Sequence, residues 1–446
     1  MNATSEYFGE ALEFVRRFKV HIGDLVDVTV DTGIVLRGFL MPRSRLLDDK
    51  HIVIKLENGY NVGLSINRIR EIKLVKHGLT PNHVSPTPVE QMQDLPLISI
   101  KGCGGTIASK VDYITGAVYP SFDVNDILNL VPEIRSIAKI RSEEVLNIFS
   151  EDMTSKYWKM MAEKIFYDLN EGVDGVIIAH GTDTMGYTAA ALSFAIQNLP
   201  VPVVLVGSQR SSDRPSTDAS LNLLGAAIFT VQSPVSGVFV AMHKSTSDDV
   251  VAIHKGTRVR KCHTSRRDAF KSINEDIIAE VKGFKITMLS CSGLPERNKG
   301  RNPSLKAEFD DKVVLVKTYP DFPCEIIDYI VDKGYHGLVI EGTGLGHTPT
   351  YAFKSISRAC EVMPVVMVSQ CLWGRVNMNV YRTGRELLAM GVIPGEDMIP
   401  ETAYVKLKWV LGQTQDFKDV RKLMLTSICG EISYRHSEKI FTNVFS

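Results

Sequence analysis

The chain has 446 residues, and its 51 basic and 51 acidic side chains cancel, so no overall field draws it towards nucleic acid or an anionic membrane surface. Hydrophobic residues at 44% and charged residues at 23% exclude a disordered or fibrous chain, and the length accommodates two or three domains. Seven cysteines spread from Cys103 to Cys429 without a CxxC pair fit reduced thiols better than a disulfide framework or a zinc site, and with no basic, apolar leader or bilayer-length apolar run, a cytoplasmic protein without a membrane span is expected.

Residues 6–18 carry Tyr7, Ala11, Phe14, Val15 and Phe18 at helical spacing, which predicts a short amphipathic helix. From Gly23 the period becomes two. Val26, Val28 and Val30, and later Val62, Leu64 and Ile66, occupy alternate positions, and Asn58-Gly59 between such runs predicts a hairpin turn. Residues about 20–76 therefore read as a small all-β barrel, with 1–76 as an N-terminal module. His77 to Val89, with Pro81, Pro86 and Pro88, predicts an extended linker over 77–90.

Beyond it the apolar runs lose their alternation: Leu97–Ile100, Val173–Ala179, Val201–Val206 and Gly237–Ala241. Such runs predict strands of a parallel sheet covered on both faces, the centre of a large α/β domain over 91–304. Ligands in sheets of this kind gather at the carboxyl ends of the strands. The polar stretch Leu294–Arg301 precedes a second series, Val313–Val316, Gly337–Ile340 and Val365–Val368, which predicts a smaller C-terminal α/β domain over 305–446.

Three segments carry candidate chemistry. Gly102–Ser109 is a glycine-rich loop after a strand expected to end near Ile100, with Cys103 and Thr106 as its reactive side chains. The bland alternative is a turn or phosphate cradle, but no Gly-Lys-Ser/Thr follows and the dinucleotide spacing is absent. His180–Thr184 also follows a predicted strand, and in it two hydroxyls flank the carboxylate of Asp183; capping of the next helix is the structural alternative. Arg258–Asp268 packs many ionisable groups together, a pattern shared by solvated surfaces.

Together these segments resemble the asparaginase and glutaminase family, whose motif Thr-Gly-Gly-Thr-Ile-Ala matches Cys103–Ala108 and whose motif His-Gly-Thr-Asp-Thr matches His180–Thr184. The likeness continues through Tyr113-x-x-Gly116, Ser150-Glu151-Asp152-Met153 and Lys261. Gly23-Asp24, Leu56–Gly63 and His263–Phe270 are similar to the family's D-subunit type, found in archaeal amidotransferases acting on Glu-tRNA(Gln). That likeness covers essentially the whole chain.

The resemblance implies an α/β asparaginase-like body of two α/β domains preceded by a small barrel. It implies an amidohydrolase that frees ammonia from glutamine or asparagine for a partner, the amidotransferase E subunit, which uses ATP and magnesium to amidate glutamate on the tRNA. No cofactor and no metal is expected in this chain, and a homodimer is expected within the assembly. Residue by residue, Cys103 takes the position of the family's threonine nucleophile, while Thr182, Asp183 and Lys261 fall on its second threonine, its aspartate and its lysine. Tyr113 would help activate the attacking group. Ser150 and Glu151 match positions that hold the substrate's α-carboxylate and α-amino groups. His347 lies in a family loop that reaches a neighbouring protomer's site, and Tyr381 stands where many relatives carry a glutamate. A free-standing asparaginase or glutaminase, and a scaffold weakened by the change to Cys103, are the alternative readings.

Overall fold

The computed structural model describes residues 7–41, 43, 48–56, 61–77, 95–104, 109–111, 118–120, 131–210, 217–291 and 293–435. The first helix, Gly9–Arg17, buries Ala11 and Val15. Five strands follow: β1 (Leu25–Val30), β2 (Val35–Met41), β3 (His51–Leu56), β4 (Asn61–Ser65) and β5 (Ile69–Lys76). They form one antiparallel sheet in the order β4-β3-β2-β1-β5. Alternation does its expected work here, since Val26, Val28 and Val30 of β1 point inwards, and Val26 and Val28 join Tyr7, Val15, Leu40, Ile52 and Ile54 in a core of their own. No ladder joins β4 to β5 among the described residues. The Asn58-Gly59 turn lies outside the described residues.

The large sheet is built on β6 (Leu97–Gly104), with a short outlying pair, β7 (Ser109–Val111) and β8 (Val118–Pro120), after it. β9 (Lys139–Ile148), β10 (Gly175–Ala179), β11 (Ile196–Gln197), β12 (Pro202–Val206) and β13 (Gly237–His243) come next. Then follow β14 (Val251–Lys255), β15 (Val259–Lys261), β16 (Phe270–Ser272), β17 (Ala279–Lys282) and β18 (Lys285–Met288). The eight-stranded order is β18-β17-β14-β13-β12-β10-β6-β9. The five strands from β9 to β13 in that order run parallel, whereas β14, β17 and β18 extend the sheet antiparallel.

Unalternated apolar runs have a direct cause in this sheet. Val176, Ile178, Val203 and Leu205 feed one apolar cluster, while Ile177, Ala179, Val204 and Val206 feed another, so both faces of each strand are buried.

Beyond β19 (Ser304–Leu305), which pairs with β11, a second parallel sheet holds β20 (Val313–Lys317), β21 (Gly337–Gly342), β22 (Val365–Ser369) and β23 (Ile393–Pro394) in sequential order. The two α/β parts share a core. Ala190, Ala191 and Phe194 of the helix Met185–Ala195 cluster with Val339, Val366, Leu407 and Trp409, and the Phe194 and Trp409 rings stack with centroids 5.7 Å apart. That helix is apolar all round because it packs against both parts. Among the described residues, no helix is long and apolar enough to cross a membrane.

A fully buried ion pair also crosses between these parts. Arg258 Nη1 lies 2.9 Å from Asp397 Oδ2, and the same guanidinium donates to Gly430 O at 3.1 Å and to Ser433 Oγ at 2.7 Å. Removing one partner of such a pair strands the other charge away from water. Asp397→Ala is therefore expected to lower unfolding free energy by about 3–5 kcal/mol in denaturant titration; a loss no larger than a surface substitution would show that the pair does not join the two parts.

Candidate active site

β6 and β10 are parallel neighbours with Ala179 opposite Gly102. Cys103 and the start of the segment His180–Thr184 therefore lie side by side at the carboxyl ends of adjacent strands. β6 runs on to Gly104, beyond the expected end near Ile100, so Cys103 belongs to the strand and not to the turn after it. The thiol is only 2% exposed and sits in the apolar cluster that includes Leu146, Met161 and Ile178. Gly104, at φ +78°, allows the strands to converge, since a Cβ there would stand 2.3 Å from Ile148 O. The end of β9 is thereby drawn against β6, and the 3-10 turn Ser150–Asp152 follows at once.

Lys261 joins the second segment to the third. Its Nζ donates to Thr182 Oγ1 at 2.8 Å and to Asp183 Oδ1 at 2.8 Å. Thr182 is buried, whereas the Asp183 side chain is 66% exposed. Lys261 ends β15, whose partner β16 sets Phe270 opposite it. The start of the helix Met185–Ala195 lies close to this pair, because a Cβ on Gly186 would meet Val259 O at 3.0 Å. Neither Thr182 nor Asp183 caps that helix. The N-cap is Thr184, which accepts no capping bond and instead donates from Oγ1 to Ser150 O at 2.6 Å.

The structure thus brings Thr182, Asp183 and Lys261 into contact, ties Ser150 to the same loop, and leaves Glu151 exposed one residue on. Tyr113 and Thr106 lie outside the described residues. His347 closes a tight turn with Thr343 in the C-terminal part, its ring 5.3 Å from that of Tyr381 and its Nδ1 3.3 Å from Thr383 Oγ1. A cleft of about 790 Å³, lined by Met153, Trp158, Thr184, Tyr187, Tyr404 and Lys408, meets the candidate segments only at Met153 and Thr184, without reaching Cys103, Thr182, Asp183 or Lys261. The loops, not that cleft, define the candidate site.

Two supporting residues, Thr188 and Ser208, have no signal of their own in the sequence, and they act together with His180 and its loop. His180 is fully buried. Its Nδ1 lies 2.6 Å from Gly181 O, so Nδ1 carries the proton, and Nε2 then accepts from Thr188 Oγ1 at 3.0 Å. Trp158 Nε1 donates to the same Thr188 hydroxyl at 3.1 Å. This hydrogen-bonded series braces the base of the loop His180–Thr184. The imidazole must stay neutral to serve in it, and burial lowers its pKa to about 4. Ser208, fully buried after β12, has a hydroxyl without a hydrogen-bond partner among the described residues. The preceding Gly207 packs directly on the loop, since a Cβ there would lie 2.8 Å from His180 O and 2.9 Å from Thr182 Cγ2. The His180-Gly181 step at a strand end is visible in sequence as part of a motif, but its bracing partner eight residues later is not.

Burial also pushes the Cys103 thiol up to about 12, with Lys101 opposing the shift. Only about one thiol in 10⁵ would then be ionised near neutral pH. The group can act as a nucleophile only if its proton is removed as the new bond forms.

Family models match three stretches: GatD N-terminal domain over residues 20–75, Asparaginase, N-terminal over 97–291, and Glutaminase/Asparaginase C-terminal domain over 312–424. The D subunit of the glutamyl-tRNA(Gln) amidotransferase of Pyrococcus furiosus is 51% identical over 427 residues, covering 94% of this chain and 97% of its own. That of Methanopyrus kandleri is 48% identical over 441 residues, covering 97% and 96%. Among solved structures, the thermostable L-asparaginase from Thermococcus kodakarensis matches with a TM-score of 0.70 and 35% identity, covering 76% of this chain and 100% of its own.

Two outcomes follow from the geometry. Iodoacetamide at neutral pH should label the exposed Cys262, Cys291 and Cys371 well before Cys103, read by peptide mass mapping; labelling of Cys103 first would contradict its burial. Because the folded pKa of His180 lies below the ordinary 6.5, the unfolded chain alone takes up this proton as pH falls from 6.5 towards 4. The stabilisation is complete above 6.5 and is lost on the way down, on the order of 3 kcal/mol in all. His180→Gln should show a smaller loss of stability than the parent between pH 7 and pH 4 in urea titrations, and an unchanged slope would rule His180 out as the cause.

Proposed function

Because the chain belongs to the D-subunit family of glutamyl-tRNA(Gln) amidotransferases, we infer that it is the amidohydrolase subunit that supplies ammonia for converting Glu-tRNA(Gln) to Gln-tRNA(Gln) in the cytoplasm. The observation that carries the chemistry is the Lys261 ammonium shared between Thr182 and Asp183 beside the strand end that bears Cys103. The substrate is glutamine or asparagine. Its α-carboxylate and α-amino groups are assigned to Ser150 and Glu151, the carboxylate of Glu151 suiting an ammonium. The amidotransferase E subunit is the partner that receives the ammonia, with ATP and magnesium bound there, and this chain acts as a homodimer within the assembly.

In this reading the Cys103 sulfur attacks the side-chain amide carbonyl, and its proton passes to the amide nitrogen, which leaves as ammonia. Tyr113 assists the deprotonation. Water held by Thr182, Asp183 and Lys261 then hydrolyses the thioester, returning the proton to sulfur and releasing glutamate or aspartate. Lysine next to a carboxylate and a hydroxyl is a suitable relay for these protons. The N-terminal module argues for an assembly subunit over a free-standing asparaginase, which needs no such module.

Cysteine differs from threonine in its longer bond to the attacking atom and in lacking the methyl group. A displacement of about 1 Å at a reacting atom can cost on the order of a hundredfold in rate. Ammonia release from glutamine and from asparagine, measured with the E subunit and Glu-tRNA(Gln) present, is therefore expected to be slow in the parent and to rise by up to about a hundredfold in Cys103→Thr. In the Cys103→Thr background, Lys261→Met should then reduce kcat by about 10²–10⁴-fold. If the parent and Cys103→Thr are equally silent, the amidase reading gives way to a scaffold that only docks the partner or the tRNA.

A further inference from the structure

The N-terminal module contains a cluster that the amidase chemistry does not use. The turn His21–Asp24 leads into β1. Asp24 N donates to His21 O at 3.0 Å, and His21 N donates to Asp24 Oδ2 at 2.8 Å. Gly23 N donates to Leu40 O and Leu40 N to Asp24 O, so the turn is fastened to β2 on both sides. The Asp24 carboxylate is thus fixed in position, in a residue only 3% exposed. The strand register supplies the third group: Leu25 pairs with Lys76 across β1 and β5, which brings the next residue, His77, opposite Asp24.

His21 Nδ1 lies 3.6 Å from Asp24 Oδ2, and His77 Nδ1 lies 3.4 Å from Asp24 Oδ1. One ligand atom from each residue can be chosen so that all lie within 4.8 Å of one another. Zinc bonds of about 2.0–2.2 Å in tetrahedral geometry separate neighbouring ligand atoms by about 3.3–3.6 Å. Both histidine-to-carboxylate distances have that length but run to different oxygens of Asp24, so a small turn of the carboxylate, or a grip on the ion by both oxygens, is part of the site; both also exceed the roughly 2.7–2.9 Å of a charge-assisted hydrogen bond. Two imidazoles and a carboxylate are a donor set for zinc and its first-row neighbours. Both rings are open to solvent, which gives an ion access and leaves room for water in the fourth position. The His21 amide that donates to Asp24 is the kind of outer contact that orients a ligating carboxylate.

We propose that His21, Asp24 and His77 form a zinc-class divalent metal site that fastens the chain leaving β5 to the turn entering β1. Cysteine spacing alone suggests no metal. The two histidines flank the whole sheet in sequence and meet only through the pairing of its first and last strands.

The test uses the full chain stripped with a chelator, titrated with Zn²⁺ by calorimetry and with Co²⁺ by visible absorption. One equivalent of Zn²⁺ is expected, and the Co²⁺ form should show tetrahedral ligand-field bands without the sulfur charge-transfer band that binding at a cysteine would give. His77→Ala and His21→Ala should each weaken binding by at least about tenfold, with circular dichroism and ammonia release unchanged. The His77 side chain is 71% exposed, so its loss does not endanger the fold. Absence of Zn²⁺ binding, equal binding in the parent and both variants, or a sulfur charge-transfer band would overturn the site.

Discussion

Lys261 reaches two acceptors on one loop, the Thr182 hydroxyl and the Asp183 carboxylate, each at 2.8 Å, and the arrangement of the candidate site depends on that ammonium. Its side chain is 13% exposed, and a charge so far from water is costly unless paired and hydrogen-bonded. Asp183 supplies the opposite charge while remaining open to solvent itself, so only one member of the pair bears most of the desolvation. The same contact fixes the direction of the Thr182 hydroxyl, which must accept from the ammonium and keeps its own proton to donate.

The lysine is held from two directions. Arg258, three residues before it, is locked by Asp397, Gly430 and Ser433 of the C-terminal part, and Thr402 Oγ1 donates to the adjoining Thr257 O at 2.8 Å. The strand that carries Lys261 is therefore positioned by contacts outside the sheet that carries Cys103. On the loop side, Thr184 bonds to Ser150 O, and the series Trp158, Thr188 and His180 supports the loop from beneath. The geometry at Thr182 is the meeting point of both α/β parts, which accounts for the buried polar groups around an otherwise apolar core.

Much of this is legible in the sequence because short motifs coincide with strand ends. The runs Val173–Ala179 and Val201–Val206 read as buried parallel strands, and β10 and β12 occupy nearly the same residues. His180–Thr184 can be singled out as a reactive loop directly. What the sequence does not reveal depends on contacts between distant residues. The antiparallel extension of the sheet through β14, β17 and β18 is set by pairing and not by any distinct local period. Cys103 reads as a loop residue because glycines surround it, but β9 pairs with β6 through Gly104 and carries the strand past it. The brace from Thr184 to Ser150 and the lock on Arg258 have no local signature at all.

The proposed reaction turns on Cys103 as the position from which the substrate amide is attacked. Exposing the parent chain, with its partner, to a diazoketone analogue of glutamine and mapping the adduct by peptide mass spectrometry reads that position without an intermediate step. A single stoichiometric adduct on Cys103, suppressed by excess glutamine or asparagine, is expected. Labelling confined to the exposed Cys262, Cys291 or Cys371, or no adduct on the strand end bearing Cys103, would remove Cys103 from the reaction.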